Sequence, residues 1–229
     1  VLPPDRPLRL GEVFAATIHL YGERRRAAVG LGLVEAGAFL LSRVVPGLVS
    51  VLVLALSFTA LYAVAARLLA GDSFAAAWRR VGGRVPVLVV LTFVVAVPFA
   101  IAVGYLFLLV LAVLWLALSG FSIPVAMIEE RDDVRGSLDR LAYSLHRSVV
   151  LARAEYLHAA GVVAALVIVY LVVGTVIGLT LIGFADNGGV AAAALVQLVL
   201  APFFFLGLAV LYYEQGTRAA VSSPGGERE

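Results

Sequence analysis

Forty-four consecutive residues, Val85 to Ile128, carry no charged side chain. A spanning helix needs about 20 largely apolar residues, because roughly 30 Å of hydrocarbon is crossed at about 1.5 Å per residue. The stretch is too long for one crossing and suits two. Two other blocks behave alike. The forty residues between Arg26 and Arg67 hold only Glu35 and Arg43 as charges, and the segment from Ala159 to Tyr213 holds only Asp186. Turn-forming residues divide both, Ser42-Arg43-Val44-Val45-Pro46-Gly47 in the first and Ala185-Asp186-Asn187-Gly188-Gly189 in the last. The middle block has no polar loop, and its reversal is expected between Pro98 and Tyr105. Six spans follow, at about 27–43, 47–69, 85–103, 105–128, 158–183 and 190–213.

Composition agrees. The chain is 62% apolar and 14% charged, against roughly 45–50% and about 25% in soluble domains. One soluble core could not hide such an excess, so lipid must solvate much of it. The absence of cysteine excludes a disulfide scaffold, a thiolate metal site and a cysteine nucleophile. Disorder is excluded by the hydrophobicity. The expected fold class is all-α, a polytopic membrane protein forming a single domain over 1–217, with a disordered tail at 218–229.

Arginine sets the expected orientation. The connections 1–26, 67–84, 131–153 and 214–229 hold sixteen Arg, and the opposite loops hold one, Arg43. That asymmetry in short loops places the Arg-rich side, with both termini, in the cytoplasm. No cleavable signal peptide is expected, since the first 26 residues are polar and lack a continuous apolar core.

The Arg-rich connections carry helical periodicity. Leu10, Phe14, Ile18 and Tyr21 form one apolar face; Phe74, Ala77, Trp78, Val81 and Val85 form a second; Val134, Leu138, Leu141, Leu145 and Val149 form a third. Arg9, Glu12, His19 and Glu23 stand opposite the first, Arg79, Arg80 and Arg84 the second, and Arg135, Asp139, Arg140 and His146 the third; a basic polar face with apolar residues opposite is the pattern of a helix lying in the membrane interface. Asp72 and Asp133 are the expected helix starts. Each such helix precedes two spans, and Gly11-Glu12-Val13-Phe14-Ala15-Ala16 resembles Gly71-Asp72-Ser73-Phe74-Ala75-Ala76. The expectation is a threefold internal repeat of one interfacial helix plus one membrane hairpin. The other reading is that alanine-rich amphipathic helices look alike by composition.

Chemistry-bearing residues are few. Glu35 is the single charge well inside a span, roughly 13 Å along the helix from Arg26. A carboxylate there is costly, so it faces the bundle interior with a partner or is protonated. One reading is a proton or cation site shared with Gln197; the other is a neutral acid whose hydrogen bond fixes helix packing. The Arg clusters suit anionic headgroups, each contact contributing on the order of 1 kcal/mol. Candidate lipid contacts are Arg24, Arg25, Arg26, Arg79, Arg80, Arg84, Arg135 and Arg140, although topology anchoring explains them equally.

Other patterns fall short. Glu155-x-x-His158 has metal-site spacing but lacks the second copy and the two further Glu such a site needs. Glu129-Glu130 invites comparison with the intramembrane proteases of prenylated proteins, yet the Arg they require would replace Val134, and Ala stands four residues before each His. Ala117-Leu118-Ser119-Gly120 approximates a rhomboid serine motif without its first Gly. Gly174-x-x-x-Gly178 permits close helix approach, inside the bundle first and in a dimer second. No catalytic residue, metal or cofactor is expected, and no nucleic-acid partner.

The order of features resembles a family of uncharacterised bacterial six-span proteins related to the membrane domain of glycerophosphoryl diester phosphodiesterases. The residues that carry it are Leu8-Arg9-Leu10-Gly11-Glu12-Val13-Phe14 with Leu20-Tyr21, and Pro124-Val125-Ala126-Met127-Ile128-Glu129-Glu130. Gly136-Ser137-Leu138, Ser144-Leu145 and Leu211-Tyr212-Tyr213-Glu214 complete it. In enzymes with such a domain, catalysis belongs to a separate soluble barrel, which is not expected here, so nothing catalytic is carried over; the resemblance implies the fold and a bacterial cell membrane and leaves the role open. The expected function is a non-enzymatic membrane protein that organises lipid or a partner through its basic face, with membrane lipids, another membrane protein or a second copy as partners. The alternative is a small transporter or permease with a midplane site around Glu35.

Overall fold

A computed structural model describes residues 6–103, 105, 108–129, 136–182 and 188–221. Among them the structure is helical, with no strand. The order is α1 (Leu10–Glu23), α2 (Arg25–Val44), α3 (Gly47–Leu69), α4 (Phe74–Gly82), α5 (Val85–Leu91), a π-helical turn (Thr92–Ala96), α6 (Val97–Val103), α7 (Leu109–Ser119), α8 (Ser122–Ile128), α9 (Ser137–Ala154), α10 (Tyr156–Ile182) and α11 (Gly188–Val221). Among the described residues, five helical stretches are long and apolar enough to cross a membrane: α2, α3, α7 with α8, α10 and α11. A sixth arises when α4 and the helix that follows it, bent by 82°, count as one. α1 (14 residues), α4 (9) and α9 (18) each precede a pair of helical stretches, although α9 is nearly as long as the 20-residue α2.

The bundle is built around α11. Its residues from Leu200 to Gln215 are almost continuously buried, and α2, α10, α1, α3 and α9 pack around it, with α2 making the broadest contact. Outward faces stay apolar: Leu33, Leu40 and Leu41 on α2, and Val172, Val176 and Leu179 on α10, are exposed. Lipid is as apolar as these side chains, so cohesion between the helices comes from close packing and internal hydrogen bonds.

Prolines break the regular ladder at two places, and each freed carbonyl finds a neighbour. Pro98 has no N–H for the Val94 carbonyl four residues back. The indole N–H of Trp115 on α7 donates to that carbonyl at 3.1 Å. The adjoining π turn closes with the Val97 N–H on the Thr92 carbonyl. Pro202 does the same inside α11, freeing the Leu198 carbonyl. Gly32 of α2 packs directly on it: a Cβ at position 32 would lie 2.1 Å from the Leu198 oxygen. Only glycine permits that approach.

Local details differ from the sequence expectation at several points. Asp72 does not start α4; Ser73 does, its Oγ accepting from the Ala76 N–H at 3.3 Å. Asp72 instead turns back to Arg67 at 2.6 Å and Arg80 at 3.5 Å, helped by Gly71, whose φ of +96° suits a residue without Cβ. The apolar face expected to run from Phe74 to Val85 divides, because the chain turns after Gly82 and α5 begins at Val85 with proline in its first turn. The fourth span is interrupted between Ser119 and Ser122, where both seryl hydroxyls donate to backbone carbonyls. α11 continues through Val221, into the expected tail, since Arg218 is anchored by ion pairs to Glu214 and Glu155. Asp133, Val134 and Arg135 lie outside the described residues.

Candidate functional site

A cavity of about 300 Å³ lies among α2, α3, α6, α10 and α11, and Glu35 and Gln197 both line it. Its walls come from the middle of these helices and from their Arg-poor halves: Phe39, Leu54, Phe58, Phe99, Tyr170 and Phe204. The site sits where backbone regularity fails. Ala96 ends the π turn and Phe99 follows it, while Gln197, Ala201 and Phe204 bracket Pro202. Irregular backbone inside a membrane bundle occurs where it is buried in protein or lines a cavity, and π turns favour functional positions.

One side is closed by aromatic packing. Phe58 sits 5.3 Å from Phe99 and 5.4 Å from Phe205, and Phe204 lies 5.9 Å from Tyr170, between ring centroids. Behind this layer the Tyr62 hydroxyl, fully buried, donates to the Leu208 carbonyl at 3.2 Å. The Thr59 and Thr92 hydroxyls meet at 3.0 Å, joining α3 to the π turn. The polar groups around the aromatic layer are therefore satisfied.

Glu35 is the exception. The residue is 9% exposed; the Ser57 hydroxyl, which donates to the Leu54 carbonyl, also reaches its carboxyl, and its Oε2 is buried without a hydrogen-bond partner among the described residues. Gln197 does not complete it: the Gln197 Oε1 accepts from the Tyr170 hydroxyl. Sequence reasoning put Glu35 and Gln197 together, and they do share the cavity, but Tyr170 is the residue it missed. The signal was present, because a tyrosine in mid-span, far from the interfacial aromatic belt, brings a hydroxyl that needs a partner. An unpaired carboxyl oxygen facing a cavity leaves room for one more donor.

The other candidates divide by their surroundings. Arg25, Arg26 and Arg79 are exposed. Arg80 is half-exposed beside Asp72. Arg24 donates to the Asp72 carbonyl at 3.4 Å, and Arg84 donates to the carbonyls of Ala126 and Met127 at 2.5 and 3.0 Å, closing the C-terminal end of α8. Arg140 is half-buried, with Nη1 unpartnered among the described residues. Arg135 lies outside them.

Glu155 and His158 belong to an ionic cluster. Arg218 pairs with Glu155 and Glu214 and donates to the Leu8 carbonyl at 2.6 Å. His158 Nε2 is 3.7 Å from fully buried Glu214. A guanidinium thus occupies the centre where a metal reading would need an ion, and among the described residues no group of three His or acidic side chains could hold one. Glu129 is engaged by the Tyr143 hydroxyl at 2.5 Å and by Arg147 at 3.3 Å. Gly174 faces α11, whereas Gly178 faces open space, so the pair does not form a two-residue seam within the chain. Compared with family models, with curated proteins and with solved structures, the chain matches none.

Proposed function

We propose that this chain is a multi-pass protein of the bacterial cell membrane, Arg-rich side in the cytoplasm, that holds or passes a small molecule in the cavity beside Glu35. The carrying observation is the unpartnered, buried Oε2 of Glu35 on a cavity wall. Leaving a buried acceptor unsatisfied costs about 1–3 kcal/mol, more for a charged group. A purely structural acid would be expected to satisfy both oxygens within the protein. A ligand donor, or water that a ligand displaces, removes the penalty. Mid-membrane placement beside broken helices is the arrangement used by small transporters. The resemblance to the phosphodiesterase membrane domain bears on the fold of this reading and lends it no activity.

The test needs no ligand. The chain has no cysteine, so Ala100→Cys places one thiol on the cavity wall. A small, membrane-impermeant thiosulfonate is expected to label it in intact cells. A thiol that reacts only after unfolding would mean a closed, dry site and would overturn the reading.

A second reading, the organisation of lipid by the basic face, is favoured by α4. It turns 82° from the helix that follows it, buries Ala77 and Val81, and presents Arg79 and Arg80 outward. A helix in that attitude lies in the interface, and α1 and α9 are the corresponding members of a threefold repeat. Substituting Arg25, Arg26 and Arg79 by Ala is expected to reduce the anionic lipid retained through purification. Unchanged retention would remove this reading.

A further inference from the structure

We infer that the cavity takes a hydrophobic organic cation: an ammonium group on a short aryl or alkyl body, with the ammonium against Glu35. The inference rests on the small-molecule reading above and adds the ligand's chemical class. Charge is the first argument. The lining contains one acid, Glu35, and no Arg or His. Its other polar side chains, Tyr170 and Gln197, bond to each other, the tyrosine donating to the amide oxygen, which leaves the neutral Gln197 amide N–H₂ and the Glu35 carboxyl. The acidic group among them is the carboxyl, whose Oε2 is an acceptor without a partner among the described residues. An ammonium supplies N–H donors and the compensating charge together, which a neutral molecule does not.

The walls supply the second argument. Phe39, Phe58, Phe99, Tyr170, Phe204 and Phe205 all line the cavity. Aromatic faces carry negative potential and attract cations, more strongly when water is excluded. An anion would meet both a carboxyl and these faces, so the site selects against it. The third argument is size and ligand number. About 300 Å³ is the lower end of small-molecule pockets, enough for one ring and a short chain. A divalent metal is poorly served, since calcium takes 6–8 oxygen ligands and magnesium an octahedron of them, whereas only Glu35, Tyr170 and Gln197 bring side-chain oxygens here.

Three probes of one skeleton test this: 3-phenylpropylamine, 3-phenylpropan-1-ol and 3-phenylpropionate. Binding to the full chain in lipid nanodiscs is measured by calorimetry, with empty nanodiscs subtracting partition into lipid. The amine is expected to bind at least about ten-fold more tightly than the alcohol, a difference of about 1.4 kcal/mol, with the carboxylate weakest. Glu35→Gln, close in shape, is expected to abolish the amine's advantage, and Glu35→Asp to keep much of it. If Glu35→Gln does not fold, the ranking of the three probes on the unsubstituted chain decides. An alcohol that binds as tightly as the amine, or an amine whose affinity Glu35→Gln leaves unchanged, overturns the cation inference and leaves the small-molecule reading standing. Absence of amine binding overturns it as well. The small-molecule reading falls separately, if the cysteine at position 100 is unreactive in the folded protein.

Discussion

Gly32→Ala probes the tightest contact that an added Cβ would make at any described glycine. The added Cβ would lie 2.1 Å from the Leu198 oxygen, 2.8 Å from its carbonyl carbon and 2.9 Å from its Cα. A carbon resting on a carbonyl oxygen needs about 3.3 Å, so α2 and α11 would have to part by roughly 1 Å locally. All three obstructing atoms are main chain, and no rotamer change relieves them. Overpacking of this kind costs roughly 1–3 kcal/mol, and in a chain of this size each kcal/mol lowers the melting temperature by about 2–4 °C. The expected loss is therefore roughly 2–12 °C, read by a thermal-shift assay on purified protein in detergent. Gly178→Ala is the control, because a Cβ there meets nothing within 4 Å, and alanine is the better helix former by roughly 0.5–1 kcal/mol. It is expected to leave the melting temperature unchanged or slightly raised. Equal shifts from the two substitutions would refute the reasoning, since composition and not close approach would then explain Gly32.

Asp72→Ala removes the carboxylate from Arg67, whose residue is 7% exposed, and is expected to destabilise the chain by about 3 kcal/mol, the cost of stranding a buried charge; a melting temperature within about 2 °C of the parent's, a loss of at most about 1 kcal/mol, would show that water reaches the guanidinium. Glu12, held by Arg6 and by the Arg9 N–H at 2.8 Å, has its carboxyl lowered to about 2 from an ordinary 4.5. Its contribution to the first turn of α1 is therefore complete above pH 4.5 and lost as pH falls through 2; the protection of the Arg9 amide, its exchange rate relative to the intrinsic rate at each pH, is expected to fall over that interval, and Glu12→Gln to abolish the dependence. Cysteines at Gly188 and Ser137 are expected to label from opposite sides of the membrane in intact cells, and labelling from one side would overturn the six-span reading.

Helical class and the apolar stretches were legible in the sequence because the requirement is local: about 20 apolar residues in a row suffice to cross lipid, whatever they later touch. Glu35 was legible for the same reason, as one acid in forty residues with a single other charge. What it faces was not. In a soluble helix the polar face marks the outside, but the outward faces of α2 and α10 are as apolar as their inner ones, so no periodicity reveals which side of a span looks inward. The meeting of Glu35, Tyr170 and Gln197 depends on how three helices are rotated. The pairing of Trp115 with the carbonyl freed by Pro98, and of Gly32 with the one freed by Pro202, depends on helices distant in sequence. Asp72 shows the limit at short range: it stands where a helix start belongs, yet a buried arginine five residues earlier claims it, because an uncompensated guanidinium costs more than a missing cap. The residues settle what must be buried in lipid; which polar groups meet inside is settled by the packing that brings them within reach.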